Sequence, residues 1–176
     1  MRSLAAAIDG LNEYIGRRVA WLTLFIVLLQ FLVVVGRYVF GIGYIWAQEA
    51  IIYMFGFLFM LTAAYTLKHD GHVRVDIFYR EADPRTKAWI NLVGSLVFLI
   101  PVCVLIFWVA YPYVIQSWAI LERSQEASGI PARYLQKTAI LVFAVLMALQ
   151  GLSMALHSIL ALQGDETELE TLRAGG

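Results

Sequence analysis

Residues 19–36 read VAWLTLFIVLLQFLVVVG, eighteen positions without a charged side chain. A hydrocarbon core of about 30 Å needs roughly 20 helical residues at 1.5 Å rise, so this run crosses a bilayer only as a nearly upright helix. A membrane β-strand would alternate apolar and polar over about ten residues, whereas Leu22 to Val35 is apolar nearly throughout. A helix satisfies its backbone N–H and C=O groups within the segment, which lipid demands.

Working outward, three further uncharged runs follow, at 50–67, 88–121 and 138–162. The chain is 61% hydrophobic and only 15% charged, with a mean hydropathy of +0.73. Such a chain has too much apolar surface for an ordinary solvated fold. The expected fold is an all-α integral membrane protein of four transmembrane helices. Their spans are placed at about 19–36, 50–67, 88–109 and 138–162, in a single membrane domain covering 1–163.

The third run is too long for one upright crossing, since roughly 34 helical residues extend about 50 Å. Trp89 and Trp108 lie about 28 Å apart on a helix, near the separation of the two aromatic belts. The span is therefore ended near Val109. An interfacial helix over 112–122 is expected after it, begun by Pro112 and carrying Val114, Trp118 and Leu121 at helical spacing. One long helix kinked at Pro101 or Pro112 is the alternative.

The amino terminus does not read as a signal peptide, because Asp9, Glu13, Arg17 and Arg18 interrupt any apolar core. Leu4, Ile8, Leu11 and Ile15 recur at helical intervals, so 3–17 is expected to be an amphipathic helix on the membrane surface. Residues 164–176, with Asp165, Glu166, Glu168 and Glu170, read as a short solvated tail.

Lys and Arg accumulate in loops that stay in the cytoplasm. Arg2, Arg17 and Arg18, with Lys68, Arg74, Arg80, Arg85, Lys87 and Arg173, make nine on the side of the termini. Arg37, Arg123, Arg133 and Lys137 make four on the other. Both termini are expected inside. The charges punctuate apolar blocks and form no basic face, so no nucleic acid partner is expected.

The residues offer little chemistry. Cys103 is the only cysteine, which excludes an intramolecular disulfide and multi-cysteine metal motifs. His157 is the one ionisable side chain within a span, and a structural hydrogen bond is its expected role. His69 and His72 fall in a loop, at the wrong depth to complete a haem site. No nucleophile with a neighbouring base and no glycine-rich phosphate loop is present, so an enzyme is not expected. Neither cofactor nor metal is assigned to the chain.

Two candidate interaction surfaces remain. Arg37 ends the first span and Glu49 precedes the second across a glycine-containing turn, where they could pair as a surface ion pair. With Trp46 and Tyr53 they could instead form a recognition corner for a partner or lipid headgroups. Ala144, Ala148, Gly151 and Ala155 form a small-residue stripe on the fourth span that lets another backbone approach closely, in this chain or in another. Gln150 and Ser153 offer hydrogen bonds beside it. After the second span, Asp70-Gly71 signals a turn. His72, Arg74 and Asp76 then alternate with Val73, Val75 and Ile77, giving one polar and one apolar face, either a plain charged loop or a partner surface.

Several of these motifs together resemble a known family. Arg37-Tyr38-Val39-Phe40, then Trp46-Ala47-Gln48-Glu49, Tyr53, and the run Ala63-Ala64-Tyr65-Thr66-Leu67-Lys68-His69-Asp70-Gly71-His72-Val73-Arg74-Val75-Asp76 are similar to the small membrane subunit (DctQ-like) of the tripartite ATP-independent periplasmic (TRAP) transporters. A loop containing Pro131 before the last span adds to the likeness. The resemblance implies a scaffold subunit in the bacterial inner membrane, paired with a large multi-span transport subunit. That partner would perform sodium-coupled, elevator-like transport, with sodium bound there, and a periplasmic substrate-binding protein would deliver the substrate, commonly an organic acid. It also points to Lys68, His72, Arg74 and Asp76 as a structural element at the inner surface, among membrane lipids. Two other readings stay open on the residues alone: a self-assembling four-helix exporter, and a membrane anchor for a redox enzyme.

Overall fold

The computed structural model describes residues 1–73, 79 and 81–174, and the regular structure among them is entirely helical. Seven α-helices follow in order: α1 (Arg2–Ala20), α2 (Leu22–Phe40), α3 (Ile45–Lys68), α4 (Pro84–Val93), α5 (Ile100–Ala119), α6 (Arg133–Leu162) and α7 (Glu166–Ala174). A π-helical segment, Gly94–Leu99, joins α4 to α5. Four stretches are long and apolar enough to cross a membrane: Arg2–Phe40, Ile45–Lys68, Pro84–Ala119 and Arg133–Leu162. They stand where the four uncharged runs of sequence lie.

The third stretch differs from expectation. The helix does not stop near Val109, and the chain does not restart as a separate element over 112–122. It runs through Pro112 to Ala119, as in the long-helix alternative. A proline removes one N–H and crowds the carbonyl four residues back, but packing on both sides of it holds the helix. Cys103, Val114 and Ser117 are buried. Trp118 Nε1 donates to Thr138 Oγ1 at 2.8 Å, and its ring meets Tyr134 edge-on. Pro101 is accommodated differently, just after the π segment has shifted the hydrogen-bond register: the Ile100 N–H reaches Ser95 O. At 36 residues, the stretch is about 54 Å long and outreaches a bilayer core. Its start is fixed by Asp83, whose carboxylate accepts from the Thr86 N–H, and by Pro84 in the first turn.

Three of the helix ends share one closure. After α3, Asp70 takes φ 56°, with Gly71 N–H bonded to Thr66 O and Asp70 N–H to Leu67 O. After α6, Gly164 takes φ 93°, with Asp165 N–H on Leu160 O and Gly164 N–H on Ala161 O. After α5, Leu121 takes φ 44°, with Glu122 N–H on Ser117 O and Leu121 N–H on Trp118 O. Each is a Schellman closure satisfying the last carbonyls. The turn read at Asp70-Gly71 is among them.

The amphipathic lead-in forms α1, and the face it turns to the bundle overlaps its apolar stripe only in part. Ala5, Ile8, Asn12 and Gly16 are the buried stripe, set against α3 and α6. Leu4 and Leu11 of the expected stripe are exposed, while Ile15 packs on the core cluster of Ala64, Cys103, Leu146 and Met147. Small and polar side chains win this face because they admit close approach and hydrogen bonding between helices. The carboxy-terminal tail also gains structure. Asp165 accepts from the Thr167 N–H, Glu166 and Glu168 occupy the first turn and Arg173 the last, so α7 forms and packs on α4 and α6.

α6 is the hub, touching α1, α3, α4, α5, α7 and the π segment, whereas among the described elements α2 touches only α1 and α3. The small-residue stripe serves this hub within the chain: Ala144, Gly151 and Ala155 are buried and Ala148 packs on the core cluster. A β-carbon at Gly151 would crowd Leu99 and Ile100 of the neighbouring helix.

Candidate functional site

The polar side chains of the bundle gather at its two ends. At the end carrying residues 120–132, Glu49 is buried in the first turns of α3. Its Oε2 accepts the Ile130 N–H at 2.6 Å, and its Oε1 accepts the Ser124 hydroxyl. Tyr53, one turn further on, donates its hydroxyl to Ile130 O at 3.4 Å. Only glycine fits at 129, since a β-carbon there would overlap Ser124 Oγ and Glu49 Oε2. A second carboxylate closes the loop from the other side: Glu122 accepts from Lys137 Nζ and from the Ser117 hydroxyl at 2.7 Å, and its carbonyl takes the Arg133 N–H. The Lys137 ammonium first, and the Ser117 hydroxyl second, hold the Glu122 carboxyl below its ordinary range.

The expected meeting of Arg37 with Glu49 does not occur. Glu49 spends its oxygens on the loop, and Arg37 is exposed with no ion pair among the described residues. Trp46 is exposed and its ring lies 6.0 Å from that of Tyr44. Of the four residues read as one corner, Glu49 and Tyr53 meet at Ile130, while Arg37 and Trp46 face outward.

At the end carrying the termini, a chain of hydrogen bonds ties α1 to α6 and α7. Asp9 Oδ1 accepts from Ser153 Oγ at 2.6 Å and Gln150 Nε2 at 3.0 Å, and Asp9 Oδ2 meets His157 Nε2 at 3.0 Å. His157 Nδ1 faces Glu168 Oε1 at 2.9 Å. Because Asp9 can only accept when ionised, it sets the Gln150 amide, whose oxygen then takes Asn12 Nδ2 at 2.7 Å. Asn12 Oδ1 is left buried without a partner. His157 thus has the structural role expected of it. Its partner on α1 was hidden from sequence reading, although Gln150, Ser153 and His157 recur at spacings of three and four along one face of α6.

A third cluster sits beside it. Glu13 Oε2 accepts from Lys68 Nζ at 2.7 Å and meets His69 Nε2 at 2.8 Å, and Glu13 Oε1 takes Arg17 Nε at 2.6 Å. Lys68 is therefore occupied in holding α3 to α1. His72 Nε2 approaches Ala63 O at 3.2 Å. Arg74 and Asp76, read as part of the same element, lie outside the described residues. Among the described residues no three His, Cys, Asp or Glu side chains gather as a metal-ligand set.

This arrangement fastens loops and terminal helices to a bundle, and among the described residues it holds no nucleophile paired with a base in a cleft. Residues 26–161 match the sequence profile of a family described as tripartite ATP-independent periplasmic transporters, DctQ component. Neither a curated protein nor a solved structure matches the chain.

Proposed function

The chain belongs to the DctQ component family of the TRAP transporters, and on that premise we propose that it is a scaffold bracing the large permease subunit of a sodium-coupled importer of organic acids. Membership makes it the small membrane component of a TRAP transporter, not an enzyme, and implies association with a large permease subunit and a substrate-binding protein. The redox-anchor reading falls with it.

The scaffold role rests on where the polar groups end. Asp9, Glu49, Lys87 and His157 reach into the bundle, and each bonds to another segment of this chain. A transporter that works alone keeps costly intramembrane charges or broken helices for its cargo. Here such groups fasten the fold, and the surface that the spanning helices turn outward is mostly apolar. The reading assigns no cofactor to this chain, places sodium in the large subunit, and leaves substrate choice to that subunit and the binding protein. The excess of Lys and Arg beside α1, the 69–83 connection and α7 supports the bacterial inner membrane with both termini cytoplasmic. In that frame α1 lies against α3 and α6 at the inner surface, where its exposed Leu4 and Leu11 contact membrane lipids.

Co-expression with the large subunit tests this. The two should purify together, and proteoliposomes should take up an organic acid on a sodium gradient only when both and the binding protein are present. A homodimer of this chain transporting alone would overturn the proposal.

A further inference from the structure

α2 is the least covered of the membrane-spanning helices: none of its residues is buried. Its surface divides into three strips. Leu22, Ile26, Leu29, Val33 and Gly36 are half-buried and mark the side against α3. Leu24, Phe25, Leu28, Phe31 and Leu32 are bulky and exposed, as suits lipid tails. Between these strips run Thr23, Val27, Gln30, Val34 and Arg37, all exposed, at alternating spacings of four and three.

Gln30 is the anomaly in this strip. It is the ninth of the nineteen residues of α2, near mid-span, and it makes no hydrogen bond with any described residue. A carboxamide carries two N–H donors and an acceptor oxygen, and hydrocarbon satisfies none of them. Arg37, at the end of the same strip, has no carboxylate among the described residues. Spacings of four and three place such residues on a seam for a helix crossing with left-handed supercoil. A second copy of this chain is a poor occupant. Copies sharing one orientation would pack their α2 helices in parallel about a two-fold axis, bringing Arg37 against Arg37.

We propose that the Thr23–Val27–Gln30–Val34–Arg37 seam docks a membrane-spanning helix of the large permease subunit, one with a hydrogen-bonding group opposite Gln30 and a carboxylate opposite Arg37. The inference rests on the partnership that the family implies. Thr23 also lines a cleft that α2 shares with Phe55 and Phe59 of α3, so a helix seated on the seam covers those exposed rings as well.

The test places a benzophenone amino acid at Val27 or Val34, and at Phe25 or Leu32 on the opposite side of α2, in membranes holding both subunits. Crosslinks to the large subunit are expected from 27 and 34, and lipid adducts from 25 and 32. In proteoliposomes, Gln30→Leu should weaken association of the labelled subunits about three- to twentyfold, the range of a hydrogen bond between helices in membranes, while insertion is unchanged. Large-subunit crosslinks from 25 or 32 alone, or crosslinks from 27 and 34 only to a second copy, would overturn the seam even where the wild-type subunits purify together. Failure of the wild-type pair to purify together would overturn the scaffold reading as well.

Discussion

The carboxylate of Glu49 receives the backbone N–H of Ile130 at 2.6 Å, across 81 residues of sequence. This bond decides the shape of one end of the bundle, because the 120–132 loop has no regular structure to satisfy its own amides. Glu49→Ala would leave the Ile130 N–H and the Ser124 hydroxyl without their acceptor. Hydrogen exchange at the Ile130 amide should then rise about tenfold or more, with exchange within α6 unchanged. Equal protection in the variant would refute the latch.

The Asp9 network makes a parallel prediction at the other end. Asp9→Ala leaves Gln150 Nε2 without its acceptor and Ser153 Oγ with only the longer bond to Ala5 O at 3.3 Å, in a setting where both side chains are buried. Each unsatisfied buried group costs about 1–3 kcal/mol. Thermal unfolding in detergent should shift down by several degrees, and proteolysis should release α1 before the rest. Asp9→Asn, which keeps one acceptor oxygen, should fall between the variant and the wild type.

Sequence reading reached the four membrane-crossing helices because uninterrupted apolar runs are a signal of composition and length, which need no tertiary knowledge. It missed the path through Pro112 because the opposing signal is packing. Proline marks a break locally, while the burial of Val114 and Ser117 and the Trp118–Thr138 bond that hold the helix come from residues up to twenty positions away. The bundle-facing side of α1 was not legible for a similar reason. Periodicity picks out the apolar stripe of a surface helix, whereas Asn12 and Asp9 face the bundle because α6 presents Gln150, Ser153 and His157 there. At the candidate corner, Glu49 and Tyr53 were grouped with Arg37 and Trp46, and of the four these two meet. Their partner, the backbone of Ile130, carries no side-chain signature at all.

Leu121 offers a gain in stability. It occupies the left-handed position of the closure after α5, at φ 44°, where glycine pays no steric cost and an L-residue loses roughly 1–2 kcal/mol. Its side chain is exposed, so little packing is lost on removal. Leu121→Gly should stabilise the end of α5 by up to about 1 kcal/mol, raising the melting temperature in detergent. A lower melting temperature would show that the leucine side chain contributes more than its backbone conformation costs.

Gly16 should tolerate no side chain. A β-carbon there would overlap the Cβ and Cγ of Tyr65, the stiff base of that side chain, where α1 crosses α3. Gly16→Val should push α1 off α3 and lengthen the Glu13–Lys68 bond. An engineered cysteine pair at Glu13 and Lys68 should be bridged by a bifunctional thiol reagent of side-chain length in the glycine background and poorly bridged in the valine background. Equal crosslinking in both would show that α1 shifts along α3 without separating.

The Glu122 latch should respond to acid with a definite sign. Lys137 and the Ser117 hydroxyl hold its carboxyl below the ordinary range, so the folded state favours the ionised form relative to the unfolded chain. Its contribution is therefore full above the unfolded value of about 4.3 and is lost as pH falls through the depressed folded value. Proteolysis by pepsin within 120–132 should accelerate below about pH 4 relative to cleavage elsewhere. Glu122→Gln removes the charge at every pH, so the loop should be more readily cut at neutral pH by a protease active there, and its acid-dependent component should vanish. If the variant kept the wild-type acid response, the response would belong to another carboxylate of the loop end, with Glu49 the first to replace next.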